Sequence, residues 1–94
     1  PTVLTGDFNC TIGSEPYNAV LNGGLSDSRT LTSSTSYETT YNNWDINTSG
    51  SEPIDHIFVS ASDFSVTSFG LLEKSRNGNM VSDHYGIKVE MNIK

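Results

Sequence analysis

The sequence predicts an α+β fold: a mainly antiparallel sheet of four or more strands with one helix on a face. Three features point there. Near the C-terminus Ile87, Val89, Met91 and Ile93 alternate with Lys88, Glu90, Asn92 and Lys94, the period-two pattern of a half-buried strand. Further apolar, β-branched runs at Thr2–Thr5, Ile54–Ser60 and Phe64–Leu72 end at turn-forming residues. Only one stretch, after Ser14, carries helical spacing.

In chain order, Thr2-Val3-Leu4-Thr5 is a strand that meets a turn at Gly6-Asp7-Phe8-Asn9. Ser14-Glu15-Pro16 opens a helix with a capping hydroxyl, an acid and a proline in the first turn, where its missing N–H costs nothing. Tyr17, Val20 and Leu21 form its apolar stripe, and Gly23-Gly24 stops it. From Ser26 to Pro53 Ser, Thr, Asn and Gly dominate, interrupted by Leu31, Tyr37, Tyr41, Trp44 and Ile46. So long a connection without regular structure tends to be functional or mobile, and its aromatics predict that the middle docks on something. Ile54–Ser60 is the clearest strand. In Phe64–Leu72 the apolar residues change face part-way, which predicts a bulge at Ser68 or burial of both faces. Asn77-Gly78 marks a turn before the last strand.

Composition bounds the rest. The 94 residues suffice for one domain, with 34% apolar and 17% charged residues. Eleven acidic against five basic residues give a net charge of −6, so the chain has no generic pull toward nucleic acid or an anionic membrane. A phosphate ligand would need a local device such as a cation. Cys10 is the lone cysteine, so no disulfide forms within the chain. Neither a signal peptide nor a membrane-spanning run is visible, and localisation stays open.

Three clusters can carry chemistry. Asp7 and Asn9 sit two apart at a strand end, where they could orient and deprotonate a water, or simply form a turn. Asp55 shares a strand face with Ile57 and Val59, and a carboxylate on an apolar face demands a partner. Ser82-Asp83-His84 offers one: Asp55 could hold one nitrogen of the His84 imidazole while the other faces a reacting group. Alternatively that tripeptide is a strand entry.

Taken in order, Thr5-Gly6-Asp7-Phe8-Asn9, Ile54-Asp55-His56-Ile57-Phe58-Val59-Ser60 and Ser82-Asp83-His84-Tyr85 resemble the last three signature blocks of the endonuclease/exonuclease/phosphatase superfamily. Ser14-Glu15-Pro16-Tyr17 and Thr40-Tyr41-Asn42-Asn43-Trp44 fit its intervening stretches. The resemblance implies a DNase I-like α/β sandwich, of which residues 1–94 would be about the C-terminal half. It implies a Mg²⁺-dependent (or Mn²⁺-dependent) phosphodiesterase or phosphatase, with Asp7, Asn9, Asp55 and His84 catalytic and Asp83 binding the cation. Asp7 would activate water, Asn9 would contact phosphoryl oxygens, and His84, paired with Asp55, would stabilise the phosphorane-like state. Tyr41 and Trp44, on the polar loop, are the expected substrate contacts. Two departures stand out: Tyr85-Gly86-Ile87 replaces an apolar-Pro-Val sequence, and His56 replaces an aromatic. The metal-binding Glu and Asn that the family carries near the start of its domain have no counterpart here, so the isolated piece is expected to be inactive. Its uncovered sheet face would invite self-association. The competing expectation is a non-catalytic binding or assembly module on the same scaffold. A phosphate ester is the expected ligand, and charge disfavours a long nucleic acid.

Overall fold

The computed structural model describes residues 1–45 and 47–94; Ile46 lies outside the described residues. Strand β1 (Val3–Asp7) is followed by helix α1 (Glu15–Asn22), strand β2 (Ser26–Asp27) and a 3-10 turn at Ser28–Leu31. After the long connection come β3 (Asp55–Val59), a second 3-10 turn at Ala61–Asp63, β4 (Phe64–Leu71) and β5 (Ile87–Ile93). The strands form two antiparallel sheets rather than the single sheet expected: β1-β3-β2 and β4-β5. The bulge falls between Val66 and Ser68, which leaves Thr67 as the extra residue.

Strand β3 organises both layers, because its side chains alternate between two cores. On one face Ile57 and Val59 pack with Phe64 and Phe69, with Leu31, Ile87, Val89 and Met91 against them. On the other, Phe58 joins Tyr17 and Cys10, with Phe8, Val20 and Leu25. The helix therefore covers one face of the β1-β3-β2 sheet and the β4-β5 hairpin covers the other.

Ser14 takes the N-cap position of α1, but its hydroxyl donates to the Thr11 carbonyl at 2.6 Å instead of capping the helix. The helix buries Tyr17 and half-buries Val20, whereas Leu21, the third residue of the expected stripe, is exposed. It ends at Gly23, and Gly24 follows with φ +103°, a left-handed conformation that favours glycine.

Ser26–Asp27 and the turn after it lie in the stretch that carries no regular pattern in the sequence. They exist because Asp27 is fully buried and well satisfied. It accepts from the backbone N–H of Arg29 at 3.0 Å and from the Tyr17 hydroxyl at 2.8 Å, and it pairs with the Arg29 guanidinium at 3.3 Å. Arg29 in turn lies 4.3 Å from the centre of the Phe69 ring. An ion pair this deep holds together only because each partner is hydrogen-bonded as well.

All five residues of β1 are solvent-exposed, although the strand pairs with β3 along its whole length. It forms one edge of its sheet, with Val3 and Leu4 at the surface. No helix among the described residues is long and apolar enough to cross a membrane.

Candidate active site

Three separate segments deliver the central group. The β1–β3 register sets Asp7 directly opposite Asp55. Like charges in facing positions repel, and His84 stands between them. Its Nδ1 is 2.8 Å from Asp55 Oδ2 and its Nε2 is 3.5 Å from Asp7 Oδ2. The Asp55 carboxylate raises the His84 pKa above the ordinary value, first through this hydrogen bond; Asp7 and Asp83 push the same way and burial opposes them. The imidazolium is thus more favoured than in a free histidine, and when present its positive charge offsets the carboxylate repulsion. The first contact is a short, charge-assisted hydrogen bond; the second is too long to be one. Nε2–H is therefore held toward Asp7 without being consumed by it.

Asp7 ends its strand in a tight turn. Asn9 has φ +49° and donates its backbone N–H to Asp7 Oδ1 at 3.0 Å. The turn reading and the chemical reading of this cluster therefore coexist: one carboxylate oxygen builds the turn and the other faces His84. The left-handed turn, rather than continued extension, sets the direction of Asn9, which is exposed.

The opposite wall comes from the long polar loop. Tyr41 forms an isolated antiparallel bridge with His84, and the two rings meet edge to face at 5.2 Å. On either side of that bridge, Tyr85 N–H donates to Thr40 O and Asn42 N–H to Asp83 O, both at 2.7 Å. The buried Asn42 side chain donates to Ser82 O at 3.1 Å and accepts from Trp44 N–H at 2.7 Å. The docking expected for the middle of this loop is thus made by the fully buried Thr40 and Asn42 together with the Tyr41 ring against His84. Tyr37, Tyr41 and Trp44 all remain at the surface. Trp44 is 59% exposed with φ +63°, next to Asn43 at +51°. Asparagine tolerates this left-handed region, whereas for the bulky Trp44, whose side chain lies outward, it is a strained conformation.

Asp7, Asp55 and His84 each place a ligand-capable atom within 4.8 Å of the others, and so form a group able to hold a metal ion. Asp83 does not belong to that group. It directly precedes His84, and adjacent side chains of an open segment diverge, so its carboxylate acts on the imidazole electrostatically. An open cleft of about 360 Å³ borders Asp7 and Asp55, with Thr5, Ile57, Tyr85 and Ile87 among its walls. A second, of about 420 Å³, borders Asp55 and His84, with Leu72, Glu73, Val81 and Ser82 around it.

His56, next to Asp55 but on the other face of β3, belongs to the interior. Arginine can only donate and a carbonyl can only accept. The 3.0 Å contact with Arg29 Nη1 therefore makes Nδ1 the acceptor, and Nε2–H donates to Cys10 O at 2.7 Å. Burial lowers its pKa and keeps the ring neutral. It is a structural residue.

A sequence profile of the endonuclease/exonuclease/phosphatase family matches residues 1–84. The chain belongs to this family. Among solved structures it is similar to an endonuclease/exonuclease/phosphatase family protein from Bacteroides thetaiotaomicron (35% identity, TM-score 0.80), covering 95% of this chain and 36% of that one. A mannosyl-6-phosphatase from Bacteroides thetaiotaomicron is 36% identical with a TM-score of 0.82, over 96% of this chain and 37% of the other. A conserved protein of unknown function from Enterococcus faecalis is 27% identical with a TM-score of 0.84, over 99% and 36%. The search of curated proteins finds no match. The chain thus spans little more than a third of the length of these relatives, and the two-sheet arrangement with its single helix is a partial DNase I-like fold. Three blocks far apart in the family's sequence pattern here meet around His84.

Proposed function

We propose that this chain is the C-terminal part of a divalent-cation-dependent phosphoric-ester hydrolase, and that the intact protein is a phosphatase acting on small phosphomonoesters of the sugar-phosphate kind. The observation that carries the reading is the convergence of Asp7, Asp55 and His84. The monoester is preferred over a polynucleotide because the chain is acidic and because the mannosyl-6-phosphatase likeness extends over nearly all of it.

In this reading Asp55 fixes the imidazolium ring of His84, which donates Nε2–H to a phosphoryl oxygen as charge accumulates there. Asp7, the most exposed of the three side chains at 41%, orients the attacking water and accepts its proton. Asn9 donates its amide to a second phosphoryl oxygen, and the outward Trp44 with Tyr41 forms the platform for the organic part of the substrate. A cation would supply charge neutralisation for the phosphate. The donors of this chain fit a hard ion such as Mg²⁺ or Mn²⁺ chiefly through the exposed Asp7 carboxylate, because Asp55 and His84 are already tied to each other. Asp83 adds negative charge nearby. The isolated 94 residues are inactive in this reading, and their exposed β1 edge offers a strand-pairing surface for self-association.

Hydrolysis of p-nitrophenyl phosphate and of its bis-ester by the intact protein tests this. The expected result is turnover of the monoester that EDTA abolishes, Mg²⁺ or Mn²⁺ restores, and His84→Ala lowers by at least about 100-fold. An intact protein with no turnover, or one indifferent to His84→Ala, would leave a binding or assembly module instead.

A further inference from the structure

The site contains a buried hydroxyl that no role in the chemistry claims. Thr40 is completely buried, and its Oγ1 accepts from two successive backbone amides, Ile54 N–H at 3.0 Å and Asp55 N–H at 3.1 Å. Consecutive amides that converge on one oxygen form a small nest, and this one lies at the entry of β3, where the strand must present Asp55. The other end of the Asp55 peptide unit is fixed as well, since Arg29 Nη2 donates to Asp55 O at 2.7 Å. The Thr40 carbonyl meanwhile accepts from Tyr85 N–H at 2.7 Å, one residue beyond His84. A single residue thus holds the backbone of Asp55 and of Tyr85, the residue that follows His84.

We propose that Thr40 is a positioning residue: its hydroxyl sets the height of Asp55 against His84 and so the alignment of the imidazole toward the reacting group. The two partners arrive from different layers, Asp55 from β3 and His84 from the loop before β5, and no covalent proximity aligns them. Packing on the imidazole comes from the same segment as Thr40, the Tyr41 ring meeting it edge to face. The segment at 40–42 is the direct strap between them: it holds the β3 entry through Thr40 Oγ1 and brackets His84 through bonds to Asp83 and Tyr85. A methyl group at the place of Oγ1 would leave two part-buried N–H groups without their acceptor and push the β3 entry away from the loop. Serine would keep the acceptor and lose only a methyl.

The consequence for catalysis rests on the hydrolase reading, so the test has one arm that does not need it. In the intact protein, Thr40→Val, Thr40→Ser and Thr40→Ala are compared by two measurements. The first is the proton NMR resonance of the His84 Nδ1–H at mildly acidic pH, which lies far downfield while the bond to Asp55 persists. The second is kcat and KM on p-nitrophenyl phosphate with Mg²⁺. Thr40→Val is expected to lose or shift that resonance upfield and to lower kcat about 10- to 100-fold with KM within about twofold, a displacement effect on chemistry rather than binding. Thr40→Ser is expected to restore both. Thr40→Ala, whose gap admits a water in place of the hydroxyl, is expected to fall between and guards against a valine variant that does not fold. A purely structural role would lower the melting temperature and leave kcat per folded molecule and the resonance unchanged in both Val and Ala variants. That result overturns the proposal. Should the unmodified protein show no turnover, the hydrolase reading fails alone, and the resonance decides the positioning claim.

Discussion

Replacing Asp55 by Asn separates charge from shape in the pair that holds His84. The amide oxygen of Asn still accepts from Nδ1–H in nearly the same place, so the 2.8 Å contact survives as a neutral hydrogen bond. What disappears is the carboxylate charge. A hydrogen bond to a charged group contributes roughly 1.5–3 kcal/mol and a neutral one roughly 0.5–1.5 kcal/mol, so the difference is about 1–2 kcal/mol. Both side chains are mostly buried, at 25% and 14% exposure, so solvent screens this only in part. If the imidazolium acts in the transition state, that difference appears in the barrier as a loss of about 5- to 30-fold in kcat. The alkaline limb of the pH–rate profile carries a second signature. Asp55 raises the His84 pKa, so Asp55→Asn moves the limb toward lower pH. The assay is steady-state hydrolysis of p-nitrophenyl phosphate by the intact protein across pH 5–9. A variant with unchanged kcat and an unmoved limb would refute the assignment of the imidazolium as the acting form.

The other predictions concern the wall, the interior and the pH response. Trp44→Ala is expected to change KM severalfold while unfolding free energy in urea moves by no more than about 0.5 kcal/mol, as for other surface positions; a large stability loss would place Trp44 in the core. Asp27→Asn leaves the fully buried Arg29 without its counter-charge, and a loss of about 3–5 kcal/mol in urea-derived stability is expected, partly recovered when Arg29 is also replaced by Met. The two histidines have opposite linkage. His84, with its pKa raised above 6.5, contributes stability fully present below about 6.5 and lost as pH rises through its folded value. His56, with its pKa lowered, contributes stability present above 6.5 and lost as pH falls through its folded value. Denaturation midpoints measured from pH 5 to 9 should therefore flatten on the alkaline side in His84→Ala and keep their acid fall.

The strands and the helix were legible where one apolar face repeats: Ile54–Ser60 contains β3, Phe64–Leu72 contains β4, and the alternation from Ile87 coincides with β5. Their division into two sheets was not, because pairing partners depend on which β3 face each element covers, and alternation alone carries no such address. Ser26–Asp27 and its following turn escaped because a two-residue strand has no period; its cause is the Asp27–Arg29 ion pair, whose depth a polar sequence conceals. Asp7, Asp55 and His84 were named from strand-end placement and motif order, and they come together. Trp44 lies at the surface. Thr40 and Asn42 had no visible role, since a buried hydroxyl and a buried amide in a Ser/Thr/Asn-rich stretch resemble their exposed neighbours. Thr40 opens the Thr40-Tyr41-Asn42-Asn43-Trp44 stretch that resembles the family's, which was the one available signal.

The facing of Asp7 and Asp55 across the β1–β3 ladder carries an evolutionary consequence. Side chains in a strand change face at every step, so adding or deleting one residue inside β3 would exchange Asp55 with His56 or Ile54, the same change inside β1 would displace Asp7, and either would dismantle the Asp7–Asp55–His84 group. Length changes at residues 49–52, by contrast, fall in exposed chain that belongs to neither strand. Drift in chain length among homologues should therefore collect in that outer loop and spare the two ladders entirely.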